Sequence, residues 1–244
     1  MLIFLDWKVS TMYDVLAKHY DSLVKDEDAT KAYVDFTTAN TNGKKTLELA
    51  CGSGEISLAL AKVGFDMLAT DISQQMLEVA KEKDEEHLVD YKWMDMTDID
   101  SEDTFDNVLC YCDSMNYLED SQLSDMFHSV YAHLNEDGVF LFDMHTLDRL
   151  DEFADEFYEA GIVDGIEFVW NIQSEDTSLY HSFIFYNEQG VPSYEHHVQN
   201  VFDPKQVKQL LEETGFKVSI YTDFDKEGIQ SGEKHFFVCR KEQK

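Results

Sequence analysis

Thr46-Leu47-Glu48-Leu49-Ala50-Cys51-Gly52-Ser53-Gly54-Glu55 constrains the fold of this chain more than any other stretch. A short apolar run ends in small residues, and a helical pattern begins directly behind it. Gly52 and Gly54 have no Cβ, so the backbone turns sharply and offers a ligand bare amides at a helix N-terminus. A second apolar run over residues 65–71 closes on Asp71, 17 residues beyond Gly54. That offset is close to the roughly 20 residues of a nucleotide-binding strand–helix–strand unit, where an acid accepts the ribose hydroxyls. Ser57 stands at the third glycine position of G-x-G-x-x-G, which disfavours a pyrophosphate-bearing cofactor and an NAD-dependent oxidoreductase.

The rest of the chain extends the same alternation. Helical periodicity covers residues 55–62, 73–86 and 121–133, with Ser73 and Ser121 as expected N-caps. Strands alternate with these helices, which implies a parallel sheet with crossovers and a ligand beyond the carboxyl ends of the strands. Gly52, Asp71, Asp95 and Cys112 all fall there. Upstream, residues 13–38 read as one helix, with Tyr13, Leu16, Tyr20 and Leu23 on one face, before a polar break at 40–45. After Asp143 the period changes to two. Ile166 to Ile172, Leu179 to Phe185 and Tyr194 to Phe202 alternate as three β-segments of an antiparallel insertion. A last helix starts at Pro204 and ends near Glu213, with Gly215 as its C-cap.

Glu48-Leu49-Ala50-Cys51-Gly52-Ser53-Gly54, with Asp71-Ile72-Ser73 and Met76-Leu77, resembles the class I S-adenosylmethionine-dependent methyltransferases. Three further pieces follow in the family's order: Asp95-Met96, the strand Phe105 to Cys112 leading into Asp113, and Leu134-Asn135-Glu136-Asp137-Gly138 entering a fifth strand. Ala50 replaces the commoner first glycine. Thr214-Gly215-Phe216 with Phe236-Phe237-Val238 resembles the family's last hairpin. The resemblance implies an α/β fold: a Rossmann-like seven-stranded sheet, parallel except for an antiparallel hairpin strand, flanked by helices. It implies S-adenosyl-L-methionine as cofactor, over Glu48, Ala50, Cys51, Gly52, Gly54, Asp71, Ile72, Met76, Asp95, Met96 and Cys112. The phrase Tyr13-Asp14-Val15-Leu16-Ala17-Lys18-His19-Tyr20-Asp21 is similar to a helix that closes over the cofactor in many small-molecule members, its tyrosines touching the methionine end. On this reading residues 1–40 are a helical lid, 41–147 and 203–244 bind the cofactor, and 148–202 cap the substrate or form a surface for homo-oligomerisation.

Each assignment has a plainer alternative. Glu48 is also an ordinary strand-end acid, Asp95 belongs to an acidic loop, and Ile72 and Met96 sit where core residues are common. For Asp71 a functional role is favoured, since an unpartnered carboxylate closing a buried strand is costly. On the acceptor side the loops after the fourth and fifth strands supply Asp113, Tyr117 and His145 as catalytic candidates. Asp113 would orient an amine or hydroxyl, and His145 would take its proton, because imidazole titrates near neutral pH. Their alternatives are a helix-capping carboxylate and a solvated loop histidine. Of His196 and His197 only one can face a pocket, and surface exposure is the expectation for the pair.

Charge narrows the acceptor. Fifty acidic against 19 basic residues give a formal charge of −31 and a pI near 4.3. No Lys/Arg stripe is present, which argues against nucleic acid and against an anionic membrane. A small-molecule methyl acceptor at N or O is expected. A partner-dependent RNA or protein methyltransferase, or a non-catalytic S-adenosylmethionine-binding protein, are the alternatives. Cys51, Cys110, Cys112 and Cys239 show no disulfide framework; a cytoplasmic location is expected. No metal is expected, because no second Cys/His pair has matching spacing. The start has too short an apolar run for a signal peptide, interrupted by Asp6, and Met12 is an alternative initiation site.

Overall fold

A computed structural model describes residues 15–241. Tyr13 and Met12 lie outside the described residues. The central sheet is built from β1 (Lys45–Leu49), β2 (Asp66–Asp71), β3 (Val89–Trp93), β4 (Phe105–Cys110) and β5 (Leu134–His145). It is completed by β10 (Phe216–Thr222), the two-residue β11 (Lys226–Glu227) and β12 (Lys234–Lys241). Their order is β11-β10-β12-β5-β4-β1-β2-β3. β1 to β5 are mutually parallel, and β12 enters antiparallel between β5 and β10. This is the expected Rossmann-like methyltransferase sheet with one short extra edge strand.

Alternation along the central strands divides the core in two. Val108, Cys110, Phe140 and Phe142 pack with α5 (Asp120–His133) and α7 (Pro204–Thr214) on one face. Leu109, Val139 and Leu141 pack on the other with α2 (Glu27–Asn40), α3 (Glu55–Lys62) and α4 (Gln74–Lys83). Burying each such side chain stabilises the sheet by about 1.5–3 kcal/mol.

Helix ends follow local chemistry. Ser73 accepts the Met76 amide at 3.2 Å, as expected for an N-cap. Ser121 does not cap: α5 starts at Asp120, and Gln122 reaches back to the Glu119 amide at 2.8 Å. The single helix read over 13–38 is two, α1 (Leu16–Val24) and α2, because the Asp26 carboxylate takes the Asp28 and Ala29 amides and restarts the helix. α7 begins at Pro204 behind Asp203 and ends on Gly215 at φ 116°.

Between β5 and α7 the short α6 (Asp148–Glu152) precedes a separate four-stranded antiparallel sheet, β6 (Phe157–Val163), β7 (Ile166–Glu175), β8 (Ser178–Tyr186) and β9 (Pro192–Asn200). Three of these strands were legible by alternation. The fourth, β6, is an edge strand exposed at six of its seven residues, so no buried face marks it in the sequence.

Candidate functional site

The turn after β1 runs through left-handed backbone at Ala50 (φ 53°), Gly52 (φ 53°) and Gly54 (φ 74°). The two glycines serve different ends. A Cβ on Gly52 would meet nothing within 4 Å, so its backbone is bare to the cavity above. A Cβ on Gly54 would strike Ala80 Cβ and Tyr91 Oη at 2.9 Å. Gly54 therefore allows the start of α3 to pack against α4 and β3, and it is not among the residues that line the cavity. Ala50 accepts the left-handed turn at a cost of about 1–2 kcal/mol.

Asp71 ties this turn to the start of α4. Its Oδ2 accepts the Gly52 amide at 2.8 Å and its Oδ1 the Ser73 amide at 2.7 Å. Burial raises its pKa, opposed by those amides. Glu48, 2% exposed, accepts a short hydrogen bond from Ser57 Oγ. Burial pushes its carboxyl up to about 7, with the Ser57 hydroxyl working against the shift. Ser57 thus has its own task in place of a third glycine.

Ile72, Met76 and Met96 line the same cavity, and Ile72 is 46% exposed. Asp95, next to Met96, is not among the residues that line the cavity, and its Oδ1 accepts the Thr97 amide at 2.9 Å and hydroxyl at 2.7 Å.

At the other end, β4 stops at Cys110, and Cys112 (φ 56°) and Asp113 (φ 51°) turn left-handed. Cys112 is therefore not on the strand. Its side chain is exposed and lines the cavity. Asp113 makes no helix-capping bond. Its carboxylate ion-pairs with Lys234 Nζ and accepts Gln199 Nε2 at 2.7 Å, with His145 Nε2 at 3.4 Å. Lys234 also meets Asp143, 0% exposed, at 3.1 Å and Tyr33 Oη at 3.2 Å. Burial alone would raise Asp113, but the Lys234 charge, then His145, hold it well below the usual carboxylate range. Burial works against the Lys234 charge too, yet Asp113 and Asp143 outweigh it and raise the lysine.

His145 is neither solvated nor in the cavity lining. It is buried behind Asp113, bonded through Nε2 to Gln199 Oε1 at 3.0 Å. His196 is exposed as expected, but His197 is buried and lines the cavity, against the surface expectation. Sequence reasoning did not identify Lys234, Gln199, Trp170 or His181. The only signal for Lys234 was a cation heading an apolar strand in a chain short of cations. Tyr117, His181, Phe183 and Trp170 form one connected aromatic wall with His197.

α1 spans both ends. Glu195 of β9 accepts the Val15 and Leu16 amides at 2.5 and 2.8 Å. Asp21 takes the Ser53 hydroxyl at 2.5 Å and Lys83 Nζ at 2.6 Å, tying the helix to the glycine turn. Between these anchors Tyr20 faces a continuous cavity of about 490 Å³, which reaches from Ile72 and Met96 past Gly52 to Asp113 and Tyr117.

A family profile described as a methyltransferase domain matches residues 46–138. A Geobacillus sp. (strain WCH70) protein named "Putative methyltransferase" is 32% identical over 245 residues, covering 94% of this chain and 99% of its own. The chain belongs to the class I S-adenosylmethionine-dependent methyltransferases. In fold, this methyltransferase superposes on an S-adenosylmethionine-dependent methyltransferase of Clostridium acetobutylicum with a TM-score of 0.81 at 23% identity, covering 95% and 99% of the two chains. A sugar N-methyltransferase from Streptoalloteichus gives 0.79 at 18% identity, covering 96% and 95%. No helix among the described residues of the methyltransferase is long and apolar enough to cross a membrane.

Proposed function

We propose that this methyltransferase acts on a small-molecule acceptor, with its cofactor along the Ile72–Gly52 limb of the cavity and the acceptor at the Asp113 end. One observation carries the reading: both limbs belong to a single cavity of about 490 Å³, bounded by α1 and by the inner face of the four-stranded sheet. That volume lies within the roughly 300–1,000 Å³ of small-molecule sites, and the formal charge of −31 gives a nucleic acid nothing to hold. The likeness to a sugar N-methyltransferase supports the same class of acceptor. The free thiols of Cys51, Cys110, Cys112 and Cys239 support a cytoplasmic location.

The residues present fit S-adenosylmethionine. The open space over Gly52 admits a ligand against the backbone. An ionised carboxylate offers about four acceptor positions, so Asp71 retains capacity for ribose hydroxyls beyond its two amides. Ile72 and Met96 offer apolar faces to adenine. Glu48, poised near neutrality, gains a partner when the ligand's ammonium arrives. The cofactor supplies an electrophilic methyl on a sulfonium that is already a good leaving group. The chain's own share is alignment and exclusion of water, worth about 7–11 kcal/mol for well-oriented reactants. Asp113 and Tyr117 face the acceptor; His145, behind Asp113, is a positioning residue and not the proton acceptor.

The test is calorimetric binding of S-adenosylhomocysteine. Binding to the wild type, its loss in Gly52→Arg and a fall of at least about tenfold in Asp71→Ala (about 1.4 kcal/mol) are expected. Normal binding by both variants overturns the site assignment.

A further inference from the structure

The geometry points to an amine as the methyl acceptor, received in its ammonium form by the aromatic wall of the four-stranded sheet together with the Asp113 carboxylate. The inference rests on the reading of this cavity as a methyltransferase site and names the chemistry of its acceptor end.

Three features converge on a cation. First, Trp170 and Phe183, stacked with centroids 5.2 Å apart at 21°, line the cavity beside Tyr20 and Tyr117. Cations are attracted to such faces within about 6 Å, by about 2 kcal/mol where water is excluded. Second, two carboxylates, Asp113 and Glu233, line this end. The cation among them, Lys234, shares its charge between Asp113 and the buried Asp143, so it presents no unspent positive charge to an incoming group. Asp113 has given two of its roughly four acceptor positions to Lys234 and Gln199, which leaves capacity for a ligand N–H. Third, His181, one of the two imidazoles on the aromatic wall, carries no charge. Burial lowers His181 to about 4, and the Trp170 Nε1–H donates to its Nδ1 at 3.4 Å.

The proton balance follows. The bound ammonium releases one proton to water at the rim beside Glu233; Asp113, held far below its usual range by Lys234, does not store it. The freed lone pair on nitrogen forms the new C–N bond, and the electron pair of the breaking C–S bond leaves with sulfur. The product is again an ammonium, one methyl larger, which the same wall accommodates.

Ligand-detected NMR titration of three probes of one shape tests this: tetramethylammonium, tert-butanol and pivalate, each with and without S-adenosylhomocysteine. Tetramethylammonium is expected to bind at least about tenfold tighter than either of the others, a difference of about 1.4 kcal/mol. Trp170→Leu and Asp113→Asn should each weaken it about fivefold or more while leaving S-adenosylhomocysteine affinity unchanged, which reports an intact fold. Equal or tighter binding of tert-butanol or pivalate overturns the inference, as does unchanged cation affinity in both variants. If S-adenosylhomocysteine fails to bind the wild type, the cofactor reading fails, and the probe preference is still read from the titrations without it.

Discussion

Lys234→Met removes the only cation that touches Asp113 and Asp143 among the described residues. Breaking a buried pair by deleting one partner costs about 3–5 kcal/mol, because the remaining charge keeps its desolvation penalty. Lys234 retains 24% side-chain exposure and Asp113 21%, so solvent screening puts the expectation near the lower end, at about 3 kcal/mol. For a chain of this length that lowers Tm by about 6–12 °C, at roughly 2–4 °C per kcal/mol. The pH dependence is the sharper check. In the wild type, Asp113 is depressed, so its contribution is present above the ordinary 3.8 and is lost only as pH falls through its lower folded value. Lys234 is raised, so its contribution is complete below the ordinary 10.5 and is lost as pH climbs through its folded value. The network is therefore intact across the neutral range. In the variant both carboxylates lose the lysine, with only His145 left beside Asp113, and burial raises their folded pKa values. Its stability then falls as pH rises from about 4, and the loss relative to wild type is larger at about pH 7.5 than at about pH 5. Urea unfolding followed by circular dichroism at both pH values measures this. A loss under about 1 kcal/mol at the higher pH, or one equal at both, refutes the argument.

Glu48 is expected to make stability fall by about 3 kcal/mol as pH rises from the ordinary 4.5 to about 7, at about 1.4 kcal/mol per pH unit, and then level off. Glu48→Gln should flatten that limb in urea midpoints taken across the range. Gly54→Ala should cost at least about 2 kcal/mol in chemical unfolding, from left-handed backbone plus contact with Ala80 and Tyr91. Gly52→Ala should cost about 1–2 kcal/mol from backbone alone, yet weaken S-adenosylhomocysteine binding more, since its methyl enters the cavity; calorimetry separates the two glycines.

The parts of this structure that were legible are those whose cause is local. α3 and α7 follow from small residues and caps within a few positions, and Asp71 is announced by the run that ends on it. Where a distant group decides, sequence reasoning misplaced the residue. Asp26 broke the first helix through its carboxylate, which periodicity alone does not register. His145 became a buried neighbour of Gln199, 54 residues away, in place of a loop base. Lys234 was missed because the two acids that hold it lie far off in the sequence, Asp143 on β5 and Asp113 in the turn after β4, 121 positions distant.

The same contrast separates what this enzyme does from what it acts on. The proposed cofactor limb is assembled from β1, the glycine turn, β2, the first turn of α4 and Met96, all between Glu48 and Met96 and inside the segment that the methyltransferase-domain profile matches. The proposed acceptor limb joins α1, the loop after β4, the inner face of β7 to β9, and β12. No short motif encodes it, since each element contributes one or two side chains. Its chemistry lies in how charge is distributed among them: a chain with 50 acids commits one of its 19 cations to the acceptor end, and fixes it between two carboxylates. A lysine held that way shapes Asp113 without binding an anion itself. On the proposed reading Asp113 and the aromatic wall decide the acceptor, and substitution there should change the substrate before it changes the fold.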